Sequence, residues 1–234
     1  MNFLYRHRVV LGIVCVFVSF ILALGVCIFA LSVTASKSVN FTVVIDAGHG
    51  GIDGGVVGIE SGVKESDINL DLSRRLGRLF SEVGFTVVQT RETEAGLYGV
   101  ATAGYKKRDM KRRAEIINGC TPALVISVHQ NFFSVRSRRG AQVFFRHSNS
   151  RSVALARLIQ ASLNDMEECV KKSEALNGDY YILNCNDFPA VIVECGFLSN
   201  AEDEKLLLDE SYRDKVASAI ISGALHYLAS AAGG

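Results

Sequence analysis

Proline occurs only twice in the 234 residues, at Pro122 and Pro189, and no repeat or low-complexity stretch accompanies it. That scarcity leaves no linker to divide a second domain from the first. Charge of one sign is equally scarce. Beyond Ser38, 22 Lys and Arg face 24 Asp and Glu, which excludes a globally basic nucleic-acid binder. There is no G-x-S-x-G for a serine nucleophile elbow. Neither a C-x-x-C nor a zinc-finger spacing occurs among the cysteines. A second uninterrupted apolar run of about 18 residues is also lacking, which excludes a multi-pass membrane protein.

One apolar run is present. The 25 residues from Val9 to Val33 contain 21 apolar side chains, two Gly, two Ser and no charge. This segment accounts for much of the mean hydropathy of +0.24, and the remainder has an ordinary globular composition. Arg6 and Arg8 precede the run and only Lys37 closely follows it, so the positive-inside rule predicts a cytoplasmic N-terminus with the body outside. The run exceeds the roughly 7–15 residues of a cleavable signal core, which favours a retained membrane anchor. Val33-Thr34-Ala35 offers small residues at which cleavage would instead release the body. We therefore expect residues 1–38 to form a cytoplasmic stub, anchor or signal helix and short linker. Residues 39–234 then form one domain that is extracytoplasmic, anchored or secreted. Of the six cysteines, Cys15 and Cys27 lie in the apolar run; Cys120, Cys169, Cys185 and Cys195 are expected to be free and mostly buried thiols.

The body reads as alternating strands and helices. Phe41–Asp46, Phe85–Thr90, Ala123–His129, Ala141–Phe145, Tyr180–Leu183 and Ala190–Val193 have strand character. Helical spacing runs from a predicted N-cap at Ser66 to Gly84, and over Lys106–Asn118, Ser152–Met166, Glu202–Leu208 and Tyr212–Leu228. This alternation predicts an α/β fold, a single layered domain with a mostly parallel central sheet flanked by helices. In such sheets, functional groups collect beyond the C-terminal strand ends.

Three of the predicted strands bring a titratable residue to that edge. The first continues through Asp46 to His49, the third ends at His129, and the last delivers Glu194. A lone His or Glu at a strand end is commonly a hydrogen-bonded structural residue. Two histidines and carboxylates converging at one edge instead suit a borderline divalent cation such as zinc, bound by three protein ligands with one position open to water. The stretch Gly48-His49-Gly50-Gly51-Ile52-Asp53 also invites a phosphate-loop reading. Asp53 stands where the third glycine belongs, no helix follows directly and no Walker motif exists; the glycines are better suited to a sharp turn that aims His49. Spacing by itself does not choose among Asp46, Asp53 and Glu65 as the carboxylate ligand.

Four segments together carry a resemblance: Val44-Ile45-Asp46-Ala47-Gly48-His49-Gly50-Gly51, Lys64-Glu65, Ser127-Val128-His129-Gln130-Asn131, and Val193-Glu194-Cys195-Gly196-Phe197-Leu198-Ser199-Asn200. In order and spacing they resemble the zinc-dependent N-acetylmuramoyl-L-alanine amidases of bacterial cell walls, the amidase 3 group, over roughly residues 40–230. Thr90-Arg91 and Arg113 with Asn118 fit the same pattern. The resemblance implies a phosphorylase/hydrolase-like fold, Zn²⁺ held by His49, Glu65 and His129, and Glu194 as catalytic acid/base. Gln130, Cys195 and Ile117 depart from the group's usual residues, and Gln130 is expected to alter the cleft beside it.

A short chain without wall-binding repeats resembles the sporulation and germination type, which acts in spore-cortex maturation and leads to muramic-δ-lactam. General wall-remodelling amidases share this layout, and a non-catalytic peptidoglycan-binding protein is the third alternative. The implied partners are peptidoglycan, the membrane through the N-terminal helix, and an activating protein; nucleic acid is not among them. A cysteine amidase using Cys195 is a competing mechanism, although that position suits a core side chain. The cations of Lys106–Arg113 and of Arg136, Arg138 and Arg139 read as a solvated face, or as contacts for anionic wall polymer or a protein partner.

Overall fold

The computed structural model describes residues 41–232. The expected anchor and its linker lie outside the described residues. Among those described, no helix is long and apolar enough to cross a membrane.

Six strands form one sheet in the order β2-β1-β3-β6-β4-β5. They are β1 (Thr42–Ala47), β2 (Thr86–Gln89), β3 (Leu124–Asn131), β4 (Gln142–Phe145), β5 (Leu176–Asn177) and β6 (Ala190–Phe197). Pairs β1–β2, β1–β3, β3–β6 and β4–β5 are parallel, whereas β4 runs antiparallel to β6. The sheet is thus mixed, with the expected parallel character in its centre. The helices are α1 (Glu65–Glu82), α2 (Tyr105–Cys120), α3 (Ser150–Asn164), α4 (Tyr181–Asn184), α5 (Ala201–Leu208) and α6 (Glu210–Ala232).

Side chains alternate across a strand, and here the alternation separates core from chemistry. Val43 and Ile45, Leu124, Ile126 and Val128, and Val191, Val193 and Cys195 face α1, α3 and α6 in the larger core. The intervening residues Val44, Val125 and Ile192 pack under α2 and α4 with Ile117, Ile182 and Leu183. Continuing that second row toward the strand ends gives Asp46, Ser127, His129 and Glu194. Asp46 is opposite Ser127 and His129 is opposite Glu194 in register. Among the described residues, only two helices cover this face, and the polar end of the row is left open to a cleft.

Several local expectations change. Tyr180–Leu183 is not a strand: Tyr180 is extended and α4 follows it, with Ile182 and Leu183 buried. Four apolar residues are too few to distinguish the two periods. Ser66 does not cap α1; Lys64 occupies that position without a side-chain bond, and Ser66 lies buried in the first turn. Both β3 and β6 continue beyond His129 and Glu194, so these residues sit within the strands rather than terminating them. Of the four cysteines described, all are free, but only Cys195 is buried; Cys120, Cys169 and Cys185 are half-buried.

Candidate metal centre

β1 ends at Ala47, and Gly48 continues its ladder by donating to the Val128 carbonyl at 3.1 Å. A Cβ at Gly48 would overlap the His129 imidazole, so glycine here is what allows that ring to approach. The next residue, His49, takes φ = 61°, a left-handed conformation that costs a non-glycine residue energy and recurs at functional sites. This turn sends the His49 ring toward α1, which presents Glu65 as its first residue.

The three side chains meet. Glu65 Oε2 lies 3.3 Å from His49 Nε2, and Glu65 Oε1 lies 2.9 Å from His129 Nδ1. One donor atom from each of the three falls within 4.8 Å of the others. Two imidazoles and one carboxylate form the donor set of a borderline divalent cation. They also fit one physically: the carboxylate turns one oxygen to each ring nitrogen, around a point that a cation could occupy.

The surroundings hold this set in place. The Glu65 side chain is 3% exposed, and its oxygens accept from the Val56 and Gln130 amides and Asn69 Nδ2. Burial acts to raise its pKa, but the hydrogen bonds and charges of His129 and His49 outweigh burial and hold the carboxyl far below the usual range. For His49, burial acts downward, while Glu65 and Asp53 outweigh it and raise the pKa. Asp53 Oδ2 is 3.1 Å from His49 Nδ1. A carboxylate on the outer ring nitrogen fixes the tautomer and leaves Nε2 to bind a metal.

Glu194 faces the same cleft from β6. Its Oε2 is buried without a hydrogen-bond partner among the described residues. Burial is the main cause that pushes its pKa up to about 7, with the Glu65 charge also raising it and the two histidines opposing. The cleft, about 270 Å³, is lined by His49, His129, Glu194, Asp109, Tyr180 and Ile192 among others. The four candidate residues His49, Glu65, His129 and Glu194 are therefore brought together, and Asp46 and Asp53 take supporting positions.

Two residues matter more than sequence patterning indicated. Arg113, from the run read as a solvated face, is fully buried. It donates to Asp46 Oδ1, Asp109 Oδ2 and the carbonyls of Ala47 and His49, each at 2.6 Å. Arg91 donates to the carbonyls of Ala47, Gly48 and Ser66 at 3.0, 2.9 and 2.8 Å. Together they cap the strand-to-turn carbonyls that would otherwise be orphaned inside the protein. The i,i+4 spacing of Asp109 and Arg113 was the available signal. Lys106, Lys107, Arg108, Lys111 and Arg112 do face solvent.

Two expectations about side chains resolve in opposite ways. Gln130 lies on the opposite face from the cleft, donating from Nε2 to Asn69 Oδ1 on α1; alternation along β3 puts it there. Cys195 is wholly enclosed in the larger core, and burial raises its thiol pKa well above the usual value. This agrees with a packing role and disfavours a nucleophilic one.

Comparison with known proteins gives a consistent result. The family described as N-acetylmuramoyl-L-alanine amidase matches residues 43–226. A germination-specific N-acetylmuramoyl-L-alanine amidase of Bacillus subtilis (strain 168) is 35% identical over 189 residues, covering 79% of this chain and 78% of that protein. The CwlD amidase of Clostridioides difficile, solved in complex with the GerS lipoprotein, superposes with a TM-score of 0.78 and 36% identity over 81% of this chain and 99% of that one. An N-acetylmuramoyl-L-alanine amidase from Clostridium difficile 630 gives a TM-score of 0.73 and 28% identity, covering 82% and 99%.

Proposed function

The chain belongs to the N-acetylmuramoyl-L-alanine amidase family and is a peptidoglycan amidase, and on that premise we propose how it works. His49, Glu65 and His129 hold Zn²⁺, and Glu194 carries the proton during hydrolysis of the bond between the lactyl group of N-acetylmuramic acid and L-alanine. When bound, zinc supplies Lewis acidity for activating water and polarising the carbonyl. Glu194 Oε2 accepts the proton of the attacking water and returns it to the departing L-alanine amine. Asp53 keeps the His49 ring oriented, and the Gly48 backbone makes room for His129. The observation that carries this reading is the meeting of the His49–Glu65–His129 cluster with an unpartnered Glu194 oxygen in one cleft.

The test uses intact peptidoglycan, the purified protein and added zinc. Release of free L-alanine amino termini, abolished by a chelator and restored by zinc, supports the proposal. Reducing sugar ends in place of amino termini would sink it. The name of the B. subtilis relative supports a role in spore-cortex maturation; a deletion strain should then make spores whose cortex lacks muramic-δ-lactam. The C. difficile complex supports dependence on a protein partner. The apolar run of residues 9–33 supports attachment to the outer face of the cell membrane. Fractionation of the tagged full chain tests that attachment: recovery in the membrane fraction supports it, and recovery of an intact soluble chain counts against it.

A further inference from the structure

A second groove opens beside the cleft where β4 begins. Its walls are the 137–142 and 170–176 segments, and it encloses about 600 Å³. One wall presents Arg138 and Arg139; the other presents Lys171 and Lys172 together with the carboxylate of Glu174, and Lys172 is paired with Asp165 at 3.1 Å. Arg138 carries its guanidinium against two phenylalanine rings, 5.5 Å from the Phe133 centroid and 5.9 Å from that of Phe197. Those contacts orient the cation without neutralising it. Among the described residues, neither Arg138 nor Lys171 forms an ion pair, whereas Arg139 reaches Asp203 at 3.3 Å. Asp203 also accepts from the Gly140 and Phe197 amides at 2.7 and 3.0 Å. The arginine wall is thereby fastened to the end of β6, the strand that carries Glu194.

The spacing relates this groove to the reaction. Gln142 lies opposite Glu194 in the β4–β6 register, and Arg138 precedes Gln142 by four residues. At no more than about 3.6 Å per residue, that stretch spans at most about 14 Å. A stem peptide cleaved beside Glu194 and extended along the same edge covers a similar distance in about four residues, and a stem not cross-linked through its last residue ends in a carboxylate. A planar guanidinium with unused donors is suited to that group.

We propose that this groove is the subsite for the C-terminal carboxylate of the peptidoglycan stem peptide, with Arg138 as its principal ligand and Lys171 assisting. The assignment rests on the amidase reading above. It makes Arg138 a specificity-determining residue remote from the bond that breaks.

Three soluble substrates separate the possibilities: N-acetylmuramoyl-tetrapeptide, its C-terminal amide, and N-acetylmuramoyl-L-alanine amide, which has no distal stem. The full chain should show a KM for the acid roughly tenfold below that for the amide, the effect expected of one charge-assisted hydrogen bond. Arg138→Gln and Lys171→Gln should each reduce that difference with kcat unchanged, and leave the short substrate unaffected. Equal KM values for acid and amide in the unaltered protein overturn the proposal. So does an Arg138→Gln variant that loses as much on the short substrate. Competition by a phosphate-bearing wall polymer, with acid and amide still indistinguishable, assigns the cations to phosphate and likewise overturns it. Failure to release L-alanine amino termini from intact peptidoglycan, with the partner protein present, defeats the amidase reading itself; cleavage of the soluble substrates without discrimination defeats only the groove.

Discussion

Replacing Arg113 by methionine should destabilise the protein severely, although the residue lies in a segment that looks like exposed helix. Its side chain and that of Asp46 are each 2% exposed. Loss of the guanidinium leaves a buried carboxylate without its charge partner, together with the Ala47 and His49 carbonyls that it caps. Breaking a buried pair from one side costs about 3–5 kcal/mol. For a domain of this size, 1 kcal/mol corresponds to roughly 2–4 °C, so Tm should fall by roughly 6–20 °C. Burial alone would raise the Asp46 pKa; Arg113, Ser127 and Thr90 outweigh it and lower the value from 3.8 to about 2. Because the folded value is depressed, this contribution is present above pH 3.8 and disappears as pH falls through about 2. Its size is on the order of 2 kcal/mol. Urea unfolding of the wild type between pH 5 and 2 and of Arg113→Met near neutrality provides the measurements, with Asp46→Asn and the double variant completing a cycle. The double variant should be less destabilised than the sum of the single ones by about 2 kcal/mol or more. Strict additivity, or an Arg113→Met loss below 1 kcal/mol, would refute the reasoning.

The catalytic site supplies further tests. Glu194→Gln should retain stoichiometric zinc by metal analysis while turnover falls by about 10²–10⁴; near-normal turnover removes Glu194 from the proton path. Gly48→Ala places a methyl group against the His129 ring, so zinc affinity measured by competition with a chromogenic chelator should drop, and an unchanged affinity would show that the ring has room to move. Thiol-blocking reagents should leave the native enzyme active because Cys195 is enclosed, and rapid inactivation with stoichiometric labelling of Cys195 would contradict that. Zinc at 100 times its Kd should stabilise the apoprotein by about 2.7 kcal/mol, seen as a higher Tm that His129→Ala does not share.

Much of this organisation is legible in the amino-acid sequence. The runs Val43-Val44-Ile45, Leu124–Val128 and Val191–Val193 announce buried strands, and the polar residues after them announce an edge with chemistry. The rest depended on interactions that no local pattern encodes. The choice of Glu65 over Asp46 and Asp53 follows from which carboxylate the docking of α1 brings between the rings. It was available from resemblance but not from spacing. Arg113 reads as solvent-facing because its neighbours are cations; the i,i+4 spacing from Asp109 hints at a partner, and contacts from β1 complete its burial. Tyr180–Leu183 is short enough that packing under the sheet, rather than propensity, decides its conformation. Gln130 lies away from the cleft, against Asn69, because the side a residue faces depends on strand register.

The donor set has an implication for the order of events in folding. His49 comes from the turn after β1, Glu65 from the start of α1 and His129 from β3, with Glu65 and His129 separated by 64 residues. Between them lie all of α1, β2 and α2, and Glu194 arrives only when β6 has paired with β3. Contacts so distant in sequence form late because long loops must close first. A partly assembled chain therefore holds neither the metal triad nor the proton carrier. A wall-degrading enzyme built this way is inert until its tertiary structure is complete.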